Sequence, residues 1–150
     1  MAGTEPALAL SIRPFEPQDE AAVVALWHAC GLVRPWNDPH KDIARKLTVQ
    51  PELFLVGLRG GELCAAVMAG YEGHRGWMNY LAVAPSHQRL RIGQALVARV
   101  EALLLALGCP KVNLQVRSSN QQVLAFSFYE RLGYRQDEAV SLGKRLIADD

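Results

Sequence analysis

The sequence predicts an α/β (α+β) domain: a mixed central β-sheet with helices on both faces, in the order β-α-α-β-β-β-α-β-α-β. Three observations predict it. Two apolar runs within Leu53–Glu72 flank Gly60-Gly61, the chemistry of a tight hairpin turn. Ile92, Leu96, Val100, Leu103 and Leu107 fall on one face of a helix that Gly108 stops. Strand-like and helix-like stretches otherwise succeed one another through 150 residues with no repeat or low-complexity linker, so residues 1–150 read as a single domain. Residues 1–7 precede the first element and are expected to be a flexible N-terminus.

Leu8–Phe15 alternates apolar and polar residues and reads as the first strand. Glu16–Gly31 reads as a helix: acidic residues and a proline at its start, apolar Val23, Val24, Leu26 and Trp27 within, Gly31 as the stop. Val33–Val49 is a loop followed by a second helix, with Asp38 as N-cap and Pro39 at the first helical position. After the glycine hairpin, a short turn at Gly73–Gly76 leads to a strand over Trp77–Ala84, ended by Pro85. The long helix follows. Cys109–Val116 reads as a strand, Ser118–Gly133 as a helix and Tyr134–Leu146 as a final strand.

Half of the residues are hydrophobic and 21% are charged, which excludes a disordered or fibrous chain. Sixteen basic and fifteen acidic side chains nearly cancel, so no long-range field draws nucleic acid or a membrane surface. No basic face interleaved with aromatics is present either, and neither partner is expected. Cys30, Cys64 and Cys109 are odd in number and each sits in an apolar run, as buried thiols of a reducing compartment do. No spacing suggests a metal ligand set. The first residues lack a basic n-region and the apolar runs are too short to span a bilayer, so a cytoplasmic protein is expected.

His87–Leu96 poses the functional question. A strand ends, Gln88, Arg89 and Arg91 follow, and a long helix opens through Gly93. A helix N-terminus offers unpaired N–H groups and partial positive charge, a seat for phosphate. Guanidinium groups match phosphate oxygens in a bidentate way. On spacing alone the same residues are equally a solvated loop. If the backbone at position 91 is left-handed, arginine there costs about 1–2 kcal/mol; if it is helical, the cost is small.

Two motifs carry a family resemblance. Tyr80–Val97 is similar to the strand, proline and Gln/Arg-x-x-Gly-x-Gly/Ala signature of the GNAT (Gcn5-related) N-acetyltransferases, with Gln88 at the first signature position and Gly93 at the last. Arg91 stands where the first signature glycine belongs, and Arg89 fills another position that is often glycine. Ala125–Tyr134 resembles the end of the family's Asn-x-x-Ala-x-x-Phe-Tyr-x-x-x-Gly-Phe/Tyr run through Ala125, Phe128, Tyr129, Gly133 and Tyr134. The asparagine position falls on Gln122, and Asn120 lies two residues early. Gln115–Asn120 is similar to the fifth-strand exit of ribosomal-protein alanine acetyltransferases. Arg34–Pro39, Gly73–Gly76, Gly108–Lys111 and Ser141–Leu146 together resemble a group of small bacterial acetyltransferases.

The resemblance implies a mixed-sheet GNAT fold and acetyl transfer from acetyl-CoA, as cosubstrate, to a primary amine by direct attack on the thioester. It implies that Leu81, Ala82 and Val83 pair with the pantetheine arm as an added strand would. It implies that Gln88, Arg89, Leu90, Arg91, Ile92, Gly93 and Gln94 surround the pyrophosphate, with Asn120 and Tyr129 also contacting the cofactor. The N–H near Leu81 would stabilise the oxyanion. Tyr129 would be the general acid; without the motif it reads as a half-polar core tyrosine. Many relatives place a glutamate base where this chain has Asn79, which cannot take a proton, leaving Glu72 or His74 as base, directly or through water, or as ordinary turn residues. Arg34, Trp36 and Asn37 lie where the family builds its acceptor pocket; alternatively Trp36 simply packs over the helix start. The acceptor is a small-molecule amine or a protein N-terminus, and the chain a monomer or homodimer. The alternative function is a degenerate fold that binds acyl-CoA or a partner without catalysis.

Overall fold

The computed structural model describes residues 9–117 and 122–150, with the side chains of Gln122 and Val123 left aside. Five strands, β1 (Leu10–Pro14), β2 (Phe54–Arg59), β3 (Glu62–Tyr71), β4 (Gly76–Val83) and β5 (Val112–Leu114), form one sheet in that spatial order. Neighbours are antiparallel except β4 and β5, which run parallel. Four helices complete the fold: α1 (Glu20–Ala29), α2 (Pro39–Lys46), α3 (Ile92–Ala106) and α4 (Gln122–Arg131).

Local chemistry explains the boundaries. Gly60 and Gly61 have φ of 60° and 79°, the left-handed pair that a two-residue hairpin requires. Asp38 caps α2 as predicted: its Oδ1 accepts from the N–H groups of His40 (2.9 Å) and Lys41 (3.3 Å). Helix α4 closes with Tyr129 O accepting from Leu132 and Tyr134 and with Gly133 at φ 93°.

The sheet is buried on both faces. Val67, Met78, Ile92, Leu96, Val100 and Leu104 form the core beneath α3, against which Phe128 and Tyr129 of α4 pack. Val23, Trp27, Ile43, Phe54, Val56 and Ala82 form the core beneath α1 and α2. Burial of this kind stabilises at roughly 25 cal/mol per Å² of apolar surface. Asp19, a buried carboxylate, ties β1 to the start of α1: it accepts from Arg13 at 2.7 and 3.0 Å and from the N–H of Glu16 at 2.8 Å.

The mixed sheet with helices on both faces is as predicted; the final strand is not. No residue after α4 is in a strand ladder. Residues 134–150 run past β5 through side chains instead: Asp137 accepts from Lys111 and Asn113 (both 2.7 Å), and Ser141 from Gln115. Val140 and Leu142 are 87% and 92% exposed, so the alternating pattern of this segment meets no apolar surface that would fix a register. β5 is likewise shorter than its predicted span.

Candidate functional site

A bulge in β4 shapes the site. Ala66 of β3 faces Ala82, whereas Met68, two residues on, faces Asn79, three residues back. β4 therefore carries one extra residue, and Tyr80 absorbs it with a left-handed φ of 55°. The insertion inverts the alternation of side chains. Met78 and Leu81 both face the α3 core, while Tyr80 and Ala82 face α1. Pairing with β5 ends at Met78↔Leu114, so Asn79–Val83 run on without β5 beside them. An open strand edge where two neighbouring strands part can accept an extended ligand.

The turn below this edge begins with Gln88, whose Nε2 donates to Val83 O (3.2 Å); the Cys30 thiol donates to the same carbonyl (3.3 Å). Gln88 thus fastens the turn to the end of β4. Arg89 and Arg91 have φ of 68° and 61°. Both hold the conformation usual for glycine, at about 1–2 kcal/mol each, with their side chains exposed. Arg91 is the N-cap of α3 and makes no side-chain cap, and the first turn of α3 holds no acidic residue. Its first N–H groups and partial positive charge are left uncompensated by the helix itself. Leu90 is half-exposed, Ile92 is buried and Gln94 is exposed.

Gly93 has a packing role. A Cβ there would stand 3.3 Å from Phe128 Cζ and 3.6 Å from Val83 Cγ2. The small residue lets α4 close against the first turn of α3 and the end of β4. That contact brings the two sequence motifs together and seats Tyr129 on the same core as Leu81 and Val83. The Tyr129 ring meets Phe128 at 5.0 Å and Tyr134 at 5.8 Å, both edge-on. Burial pushes its hydroxyl up to about 12. Tyr129 also borders a groove of about 1080 Å³ with Trp77, Asn113, Gln115 and Arg117. That groove follows β5; Leu81, Ala82, Val83 and the α3 turn do not line it.

Other predicted residues fall elsewhere. Glu72 accepts from the backbone N–H groups of His74 and Arg75 and thereby shapes the β3–β4 turn, which lowers its carboxyl below the ordinary range. Glu72 and His74 thus sit in the β3–β4 turn, beyond the opposite end of β4 from Leu81. Asn79 is exposed on the strand. Asn120 lies outside the described residues. Arg34 is half-buried in the α1–α2 loop, where its carbonyl accepts from Asn37 N–H (3.0 Å). Trp36 is 57% exposed, and Asn37 Oδ1 accepts from Arg145.

Two residues that the sequence did not single out border the bulge. Tyr80 stacks on Trp27 (centroids 4.0 Å apart) and donates its hydroxyl to Asp42 Oδ2 of α2 at 2.5 Å. Burial, then Asp42, raise its ionisation well above the usual tyrosine range. An aromatic residue within an apolar strand gives no sign in sequence that it occupies a bulge.

Among the described residues no group of three or more His, Cys, Asp or Glu side chains is placed to hold a metal, and no helix is long and apolar enough to cross a membrane. The sequence profile of the Acetyltransferase (GNAT) family matches residues 20–134. An acetyltransferase of Sodalis glossinidius (strain morsitans) is 49% identical over 141 residues, covering 93% of this chain and 98% of that protein. The fold is similar to a putative GNAT-family acetyltransferase of Desulfovibrio desulfuricans (TM-score 0.75, 19% identity, 86% of this chain and 87% of that one). It is also similar to the ribosomal-protein-S18-alanine N-acetyltransferase of Escherichia coli (TM-score 0.67, 24% identity, 86% and 79%). The chain belongs to the GNAT acetyltransferase family and is an acyltransferase.

Proposed function

We propose that the protein moves an acetyl group from acetyl-CoA to a primary amine by direct attack on the thioester. The observation that carries this reading is the parting of β4 from β5 after Met78 and Leu114, at a bulge that leaves Asn79–Val83 beside an open edge. The residues present suit the cosubstrate. The free edge of Leu81–Val83 offers amide groups to a pantetheine arm. The acid-free first turn of α3, with Arg89 and Arg91 beside it, offers N–H groups and positive charge to a diphosphate.

Each residue then has a definite task. The N–H near Leu81 stabilises the oxyanion of the tetrahedral species. Tyr129, neutral until about 12, supplies the proton to the departing thiolate. β4 itself brings no acid or histidine to the bulge, the Asp42 carboxylate there is engaged by Tyr80, and Glu72 is spent on its own turn. This favours an α-amine, with a pKa near 8, over lysine, with a pKa near 10.4, because its free form is more abundant at neutral pH. Arg34, Trp36 and Asn37 lie on the α1–α2 loop, on the side toward which Tyr80 points.

One observation favours a binding-only role instead: both arginines of the α3 turn occupy left-handed positions where glycine would leave more room. A single experiment separates the two. The purified protein is titrated with acetyl-CoA in a calorimeter and then assayed for free thiol with a panel of amines. Heat together with amine-dependent thiol supports transfer. Heat without thiol from any amine supports binding alone, and no heat at millimolar acetyl-CoA removes both.

A further inference from the structure

One carboxylate outside the open edge is held with unusual completeness. Asp149 has 4% of its side chain exposed. Its Oδ2 accepts from the N–H of Asp38 at 2.7 Å, and its Oδ1 from Arg45 Nη2 at 2.7 Å, with Arg145 at 3.4 Å. Lys41 Nζ donates to its backbone carbonyl at 2.7 Å. Arg45 first, then the Asp38 N–H, hold this carboxyl down to about 2.

The groups that receive Asp149 are the cap residue of α2 and side chains from its first and last turns, while the carboxylate lies 111 residues from the cap. What brings it there is polar. Leu146 and Ile147 beside it are 86% and 69% exposed, so no apolar burial of these side chains holds the segment down. Ion pairs with partly exposed arginines are weak and screened by salt.

The same helix reaches the bulge. Arg45 Nη1 lies 3.4 Å from Asp42 Oδ1, and Asp42 Oδ2 accepts from Tyr80, the neighbour of Leu81. Three consecutive contacts therefore link the Asp149 carboxylate to the open edge of β4. Asn37, in the loop before α2, is engaged by Arg145 of the same segment.

We propose that the Asp38 N–H at the cap of α2 and Arg45 in its last turn form a carboxylate-recognition site, with Lys41 holding the backbone carbonyl of the occupant. Asp149 occupies it from within the chain, and an acceptor bearing a carboxylate near its amine displaces Asp149 from it. The naming of that ligand as the acceptor rests on the acetyl-transfer reading; the recognition of a carboxylate does not.

N-acetyl-L-alanine and its amide, which differ only in the carboxylate, serve as probes. The backbone amide resonance of Asp38 is followed by NMR in the wild-type protein, Asp149→Asn and Arg45→Gln. The acid is expected to move this resonance with half-saturation about tenfold lower in Asp149→Asn than in wild type, the gain from removing an internal competitor worth one charge-assisted bond. The amide probe is expected to leave it unmoved, and Arg45→Gln to abolish the response. If Asp149→Asn unfolds, Arg145→Gln loosens the same segment and is expected to shift the acid titration in the same direction. An unmoved Asp38 amide in the loosened variants, or equal responses to acid and amide, overturns the proposal. A thermal shift with acetyl-CoA is measured on the same samples. An Asp38 response without that shift retains the carboxylate site and overturns the acetyl-transfer reading.

Discussion

The hydroxyl of Tyr80, one residue before Leu81 on the bulge of β4, donates to Asp42 Oδ2 at 2.5 Å. This bond ties the head of α2 to the point where the sheet opens. The stacked Trp27 ring holds the other side of Tyr80, so the left-handed φ of 55° is fixed from two elements.

Tyr80→Phe keeps the ring and the stacking and removes the bond to a charged partner. It is expected to destabilise the fold by about 1–2 kcal/mol in urea unfolding at neutral pH. It is also expected to lower turnover without changing acetyl-CoA affinity in calorimetry, because Asn79–Val83 keep their open edge. A fully retained unfolding midpoint would show that the bond adds nothing.

Arg91→Gly relieves a left-handed arginine at φ 61°. The native state gains about 1–2 kcal/mol, partly offset by the roughly 0.5–1 kcal/mol entropic cost of glycine. A small rise in unfolding midpoint is expected, with acetyl-CoA affinity equal or better. A loss of affinity of about tenfold, one charge-assisted contact, would instead identify the guanidinium as a ligand.

Tyr129→Phe is expected to lower turnover by about 10²-fold, the low end for general acid catalysis, because a thiol with a pKa near 8.5 leaves readily. The affinity for acetyl-CoA should be unchanged. A general acid works while protonated, so its contribution is lost as pH rises through its own pKa. With that value pushed up to about 12, Tyr129 contributes no fall in rate between pH 7 and 10. A descending limb near pH 10 that vanishes in the phenylalanine variant would contradict this environment.

Arg13→Ala leaves the buried Asp19 carboxylate with the Glu16 N–H but without its guanidinium. A stability loss of about 2 kcal/mol at pH 7 is expected. Arg13 holds Asp19 below its ordinary range. The stabilisation is therefore present above the unfolded-state pKa of about 3.9 and is lost as pH falls through the lower folded value. Wild type and variant should converge in acid, as urea titrations at stepwise lower pH would record.

Much of this architecture is local and was legible in the residues. Gly60-Gly61 dictates its hairpin because two left-handed residues in succession suit little else. Asp38-Pro39 dictates the start of α2 because the carboxylate satisfies N–H groups that the helix cannot. The five-position stripe from Ile92 dictates the buried face of α3. The motif residues Gln88, Gly93, Phe128 and Tyr129 lie in two separate segments, and Gly93 against Phe128 is the contact that joins them.

What the sequence by itself determined is thus the set of elements whose hydrogen bonds and apolar faces are satisfied within a few residues. Tertiary structure alone decided the rest. The bulge at Tyr80 depends on β3 and α2 lying on either side of β4, and a strand pattern does not record which residue a neighbour forces out of register. Residues 134–150 show the converse. Their alternation suits a strand, yet a strand exists only where an edge and an apolar surface meet it, and this segment is held by Asp137 and Asp149 through side chains. Charge pairing across 104 residues, as between Arg45 and Asp149, leaves no trace in local sequence, because it requires only that the fold bring the two partners together.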